Sequence, residues 1–225
     1  MAIKPDWDTV KSAPEYILPL EKHLIDEASD VLAQAYIDTP PIEYIFADII
    51  TPELVKWFVC RGIRYSMRAG EVFTTPDVDG VAVWFKPGHS TLNPLGMLRA
   101  GMFAVPYRLG RKAFARLSRY MELTTCKHKA LLHEPHWYLC ELAVRPDLQG
   151  HGIGGALLQP VLDRADSDGL SCYCETFTEK AASFYGKHGF VTAEKVDSGD
   201  ERPSFWAMVR EPDSEARIPL PGASI

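Results

Sequence analysis

A chain of 225 residues, 46% hydrophobic and 24% charged, can bury one sizeable core and needs no second domain. Its net charge of -6 argues against a nucleic-acid partner, and no apolar run approaches the roughly 20 residues of a membrane span, so a membrane partner is not expected either. Met1 to Asp8 lacks an apolar leader core, and five scattered cysteines (Cys60, Cys126, Cys140, Cys172, Cys174) suit a reducing compartment, so cytoplasmic residence is the expectation. Cys172 and Cys174 share a strand face without a second Cys or His pair at zinc spacing, and read as core thiols; no metal is expected.

Tyr16 to Tyr36 spaces its apolar residues as an amphipathic helix, which ends before Pro40-Pro41. Thr51-Pro52-Glu53 then offers an N-cap followed by proline at the first helical position, opening a second helix to about Ala69. Gly70 to Thr75 and Gly80 to Phe85 read as two strands of a hairpin turned by Pro76, Asp77 and Asp79. A helical region follows over Leu95 to Leu132, broken near Pro106. From Pro94 to Ala130 it carries eight basic residues against Glu122, a local +7.

Trp137 to Val144 reads as a strand, Gln149 to Asp166 as a helix opened by glycines, and Ser171 to Phe177 as a strand. Glu179 to His188 forms a short helix closed by Gly189, Phe190 to Val196 and Ser204 to Val209 finish as strands, and the proline-containing tail at 211–225 is expected to be flexible. Strands alternating with helices predict one α/β domain over residues 1–210 with a mixed sheet.

The stretch Val144-Arg145-Pro146-Asp147-Leu148-Gln149-Gly150-His151-Gly152-Ile153-Gly154-Gly155 runs from a strand through a turn into a helix start. The first N–H groups of a helix have no internal acceptor and sit at the positive end of its dipole, so phosphate is the natural guest. A Rossmann fingerprint would lie nearer the first strand, with its acidic residue ending a second one; the Gly-Lys-Ser/Thr of a Walker loop is absent.

The spacing Gln149-x-x-Gly152-x-Gly154 resembles the Arg/Gln-x-x-Gly-x-Gly/Ala signature of the GNAT N-acetyltransferase superfamily. About 30 residues later, Phe184-Tyr185-Gly186-Lys187-His188-Gly189-Phe190 resembles the family's second motif, Phe-Tyr-x-x-x-Gly-Phe. Outer segments, Leu32 to Pro40 with Tyr44, Asp79 to Pro87 and Glu134 to Leu139, are similar in pattern to the puromycin N-acetyltransferase group. The resemblance implies a central mixed, mostly antiparallel sheet flanked by helices and splayed between its fourth and fifth strands, with acetyl-CoA lying across the splay. Carried over by position, Leu142, Ala143 and Val144 would pair with pantetheine, while Gln149, Gly150, His151, Gly152, Ile153, Gly154 and Gly155 would hold the pyrophosphate. His151 replaces a common Lys or Arg, and Ala181 a frequent Asn.

Acetylating an amine of pKa near 10 at pH 7 requires loss of a proton, a cost of about 4 kcal/mol, so a base or water chain is needed. The resemblance makes Tyr185 the acid for the leaving thiolate. Glu141 is the one carboxylate on its strand; strict alternation sets it opposite Tyr138, Cys140, Leu142 and Val144, unless a bulge re-aims it. Glu175, or a water held with Tyr138, is the alternative base. Asp38, Tyr44, Trp84, His136 and Tyr138 are candidate acceptor contacts, although Trp84 equally suits core packing and His136 a structural place.

The expected activity is acetyl transfer to a primary amine of a small molecule, such as a xenobiotic or antibiotic, in a ternary complex formed by a monomer or homodimer. A protein lysine or N-terminus is the alternative acceptor, favoured by an open groove between the first helices and the last hairpin. A partner-binding or membrane-surface module built on the basic 94–130 segment is the reading from another class.

Overall fold

The computed structural model describes residues 16–88 and 94–213. The expectations for Met1 to Asp8 and for the tail beyond Asp213 lie outside the described residues. Among these residues seven strands, β1 (Leu18–Pro19), β2 (Gly70–Thr74), β3 (Gly80–Phe85), β4 (Trp137–Val144), β5 (Cys172–Thr176), β6 (Val191–Val196) and β7 (Phe205–Arg210), form one sheet in the order β1-β2-β3-β4-β5-β7-β6. All neighbours are antiparallel except β4 and β5, which run parallel. Among the described residues seven α-helices flank it: α1 (Ile25–Tyr36), α2 (Pro40–Phe46), α3 (Pro52–Ala69), α4 (Pro94–Ala100), α5 (Val105–Leu131), α6 (Ile153–Asp168) and α7 (Glu179–Gly186).

Alternation along the strands divides the core in two. Val81, Val83 and Ala143 pack with Leu32 of α1, Ile63 of α3 and Leu109 of α5 on one face. Ala82, Trp84, Trp137 and Leu139 pack with Leu157 and Leu158 of α6 and Tyr185 of α7 on the other. The parallel pair needs a crossover, and α6 supplies it on the second face. Gly80 permits the close fit: a Cβ there would stand 2.8 Å from Leu157 Cδ1. No helix among the described residues is long and apolar enough to cross a membrane.

Most elements lie where the sequence places them, including α3, whose Thr51 side chain accepts from Leu54 N at 3.2 Å. Three differ. The helix expected from Tyr16 starts only at Ile25, because Pro19 lacks an N–H and pushes Leu18 into extended backbone; the pair adds an edge strand against Phe73 and Thr74. Pro40-Pro41, expected only to stop a helix, also opens α2, since proline fits the first helical turn. The long basic region breaks at Gly101 (φ 75°) and kinks at Gly110 (φ 73°, ψ 172°), whereas Pro106 sits in the first turn of α5.

Candidate functional site

The β4–β5 pairing is short. Trp137, Tyr138 and Leu139 face Cys172, Tyr173 and Cys174, and beyond them Cys140 to Val144 have no partner on β5. On its other side β4 continues along β3 to Gly80↔Val144, but the register shifts: Trp84 faces Leu139 and Val83 faces Glu141, leaving Cys140 as an extra residue. This bulge reverses the parity of the strand. Leu139 belongs to the α6 face, whereas Glu141 shares a face with Val83 and Ala143, and hence with Tyr138. A Cβ on Gly62 of α3 would lie 3.5 Å from Glu141 Oε1, which fixes the direction of the carboxyl.

The same parity decides which backbone groups open onto the gap. Arg145 N donates to Asp79 O at 2.9 Å toward β3, so Glu141 and Ala143 also turn that way, while Leu142 and Val144 face the gap. Of the three residues expected along pantetheine, Ala143 is turned toward Val81 and buried, and only Leu142 and Val144 present free-edge backbone. Side chains cover both. Leu142 N donates to the Tyr36 hydroxyl at 2.9 Å, that hydroxyl donates to Leu142 O at 3.2 Å, and Gln149 Nε2 donates to Val144 O at 3.3 Å.

The loop after β4 is held by Arg145, which reaches Asp79 at 3.3 Å and Asp147 at 2.9 Å. Gly150 and Gly152 have φ of 86° and 84°, a left-handed backbone that favours glycine. Gly152 is the N-cap of α6 and brings no capping side chain, so the N–H groups of Ile153, Gly154 and Gly155 are left without intrahelical acceptors. Gly154 and Gly155 serve packing as well: added Cβ atoms would stand 3.2 Å from Phe184 Cζ and 2.7 Å from His188 Cε1, so the two glycines form the notch that receives α7. The Ile153 side chain is buried in the α6 face. Exposed His151 turns Nδ1 toward Leu148 O and Gln149 O at 3.2 and 3.1 Å, so that nitrogen donates to the loop itself.

Two carboxyls lie on the α1/α3/α5 side of the sheet beside the gap. Glu141 Oε2 is buried without a hydrogen-bond partner, and burial pushes its pKa up to about 7. Glu175, just past the last β4–β5 pair, accepts from the Tyr138 hydroxyl at 2.8 Å, and burial pushes it up to about 7 as well. Tyr185 approaches from the α6/α7 side, 8% exposed, its ring edge-on to Phe184 (5.2 Å) and Phe190 (5.6 Å). Burial, then the charge of Glu141, raises the pKa of Tyr36, whose hydroxyl meets Leu142 at the strand edge one residue beyond Glu141. Carboxyls titrating near neutrality on one side, and a phenol kept protonated by burial on the other, can take up and release protons at pH 7.

The expected acceptor contacts disperse. Trp84 is fully buried on the α6 face, away from the carboxyls, and packs the core. His136 is buried at the start of β4, with Nε2 2.6 Å from His128 Nε2 and Nδ1 2.6 Å from Glu134 O. His128, held down to about 4 by burial and then by His136, stacks on Tyr173 at 4.1 Å. The pair thus clamps the end of α5 to the sheet. Tyr44 lines a cavity of about 510 Å³ with Arg119, Asp200, Glu201 and Arg202, between α2, α5 and the β6–β7 loop. Asp38 is exposed on the link between α1 and α2. Sequence reasoning missed Tyr36 and His128. Tyr36 lies within the outer Leu32 to Pro40 pattern but nothing there marks it out, His128 lies outside the matched segments, and each acquires its place only through the tertiary fold.

The sequence model of the Acetyltransferase (GNAT) family matches residues 100–190, which span β4, the glycine loop, α6, β5 and α7. An uncharacterized N-acetyltransferase of Schizosaccharomyces pombe is 25% identical over 203 residues, 85% of this chain and 81% of that protein. The fold is shared with the crystal structure of histone acetyltransferase HPA2 and related acetyltransferase from Corynebacterium glutamicum (TM-score 0.59, 23% identity, 88% of this chain and 96% of that one). It is shared equally with arylalkylamine N-acetyltransferase 2 from Aedes aegypti (TM-score 0.60, 12% identity, 88% and 98%). Over residues 100–190 the sequence is similar to the acetyltransferases of the GNAT family, and the fold of the chain is similar to that of solved acetyltransferases.

Proposed function

We propose that this GNAT-type acetyltransferase moves the acetyl group of acetyl-CoA to a primary amine of a small molecule by direct transfer in a ternary complex. One observation carries the reading: the uncapped N-terminus of α6 lies at the end of a free β4 edge. A ligand with a pyrophosphate at one end and an amide-bearing arm fits both, since the helix start favours an anion and an open strand edge favours an extended chain. In this reading Gln149 to Gly155 hold the pyrophosphate, and the backbones of Leu142 and Val144 pair with the arm. Acetyl-CoA supplies the activated thioester.

The chain's own groups then manage the protons. Glu141, whose Oε2 is tied to no other group, accepts the proton of the incoming ammonium; Glu175 is engaged by Tyr138 and supports it. The amine nitrogen bonds to the thioester carbonyl carbon, the carbon–sulfur bond breaks, and Tyr185 delivers a proton to the departing sulfur, a proton replaced by the second one that the nitrogen sheds as the amide forms. No metal is assigned a part.

The outer sequence pattern similar to the puromycin N-acetyltransferases supports a compact amine acceptor, and the open cavity beside Tyr44, whose Arg119 and Arg202 balance Asp200 and Glu201, offers a place for one without a net attraction for a cation. Fold neighbours named for a histone and for arylalkylamines do not choose between acceptor classes. Because that cavity lies between α2 and the β6–β7 loop, a peptide lysine or N-terminus is the second reading. Protein, acetyl-CoA and matched panels of small amines and peptides are mixed and free thiol is followed. Release with small amines is expected; release with peptides alone moves the acceptor to the second reading. No release with either, together with no thermal shift from coenzyme A, overturns the enzymatic reading.

A further inference from the structure

We infer that Tyr36 is a place-holder for the thioester arm, a positioning residue whose hydroxyl occupies the backbone N–H and C=O of Leu142 until the co-substrate takes them. The inference rests on the proposed coenzyme reading. A strand edge leaves donors and acceptors that need partners, and burying them unpaired is costly. Leu142 turns both groups to the gap beyond the last β4–β5 pair, where no strand can serve them.

A phenol hydroxyl can donate once and accept at the same time, and Tyr36 does both, accepting from Leu142 N at 2.9 Å and donating to Leu142 O at 3.2 Å. It therefore makes the pair of bonds that an arm carrying a carbonyl and an amide N–H makes to a strand edge. Arm and hydroxyl compete for one residue. The main chain beneath Tyr36 is fixed, since Thr39 Oγ1 donates to Tyr36 O at 2.6 Å and Thr39 N to the same oxygen at 2.8 Å. The exchange is thus a rotation of the side chain.

Tyr36→Phe keeps the ring and removes the competitor. Coenzyme A is expected to bind this variant about three- to tenfold more tightly than the parent by calorimetry, the equivalent of one lost hydrogen-bond competitor. Amide exchange at Leu142 should be faster in the free variant and return to the parent's protected level once coenzyme A is added. A merely structural tyrosine would loosen binding, not tighten it. Unchanged or weaker binding by Tyr36→Phe, with the parent still binding coenzyme A, overturns the place-holder while leaving the coenzyme reading intact. If the parent itself fails to bind, both fall. Exchange at Leu142 can be read in any folded sample, so a variant of reduced stability still decides: no gain in exchange on losing the hydroxyl overturns the proposal.

Discussion

Replacing Glu141 with glutamine tests the burial of the carboxyl and its role together. The midpoint of Glu141 lies at about 7 in the fold against an ordinary 4.5, because of burial alone. At about 1.36 kcal/mol per pH unit, the folded chain carries a penalty of about 3 kcal/mol for keeping this group ionised above pH 7. The sign follows from a folded pKa above the unfolded one: the favourable contribution is complete below 4.5 and is lost as pH rises to 7. Glutamine has the same shape without the charge. Urea unfolding should therefore show Glu141→Gln more stable than the parent by about 2–3 kcal/mol at pH 8 and nearly equal to it at pH 4.5. Thiol release should meanwhile fall about 10²- to 10⁴-fold and lose a rising limb centred near pH 7. A variant no more stable at pH 8 would refute the burial argument. A variant that keeps its limb and rate, while Glu175→Gln loses both, would transfer the base to Glu175.

Tyr185→Phe should slow turnover about 10²-fold with coenzyme affinity held within about twofold, as expected for a lost acid; equal rates in a steady-state assay would return Tyr185 to packing. Gly155→Ala drives a methyl against His188 Cε1 and should cost about 1–3 kcal/mol in denaturant unfolding. An unchanged midpoint would mean that α7 yields freely. Asp166 and Arg210 form a two-bonded pair, 2.7 Å at each contact, that is 11% and 12% exposed, and Arg210 holds the Asp166 carboxyl below its ordinary range. Asp166→Ala is expected to lower stability by about 3 kcal/mol at pH 7. The difference should disappear in strong acid, as pH falls below the lowered range in which the parent's carboxylate protonates; a loss that persists there would show that packing, not charge, is responsible.

The fold was legible wherever local chemistry is strong. Thr51-Pro52 announced α3, the alternation around Asp79-Gly80 announced the β2–β3 hairpin, and the glycines after Val144 announced the start of α6. What escaped depends on partners distant in sequence. Whether Glu141 faces the α1/α3/α5 side turns on Cys140 being skipped by β3, and nothing within β4 encodes that. Likewise the sequence makes Gly150, Gly152, Gly154 and Gly155 look alike, yet two relax the backbone and two admit Phe184 and His188. Leu18–Pro19 became a strand because Phe73 and Thr74 offered an edge, overriding a helical spacing of apolar residues.

The three-residue seam between β4 and β5 also bears on how the chain acquires its structure. On one side β2, β3 and β4 are joined through long antiparallel registers; on the other β5, β6 and β7 form a second such block. Within the sheet, Trp137 to Leu139 make the pairing that joins the blocks, and α6 and the His128 end of α5 brace it from either face. Cooperativity across a joint so narrow is weak, so the two blocks should exchange their amides as separate units, the C-terminal one opening without melting β2 and β3. A ligand lying along the seam would bind both blocks at once and merge the two openings into one.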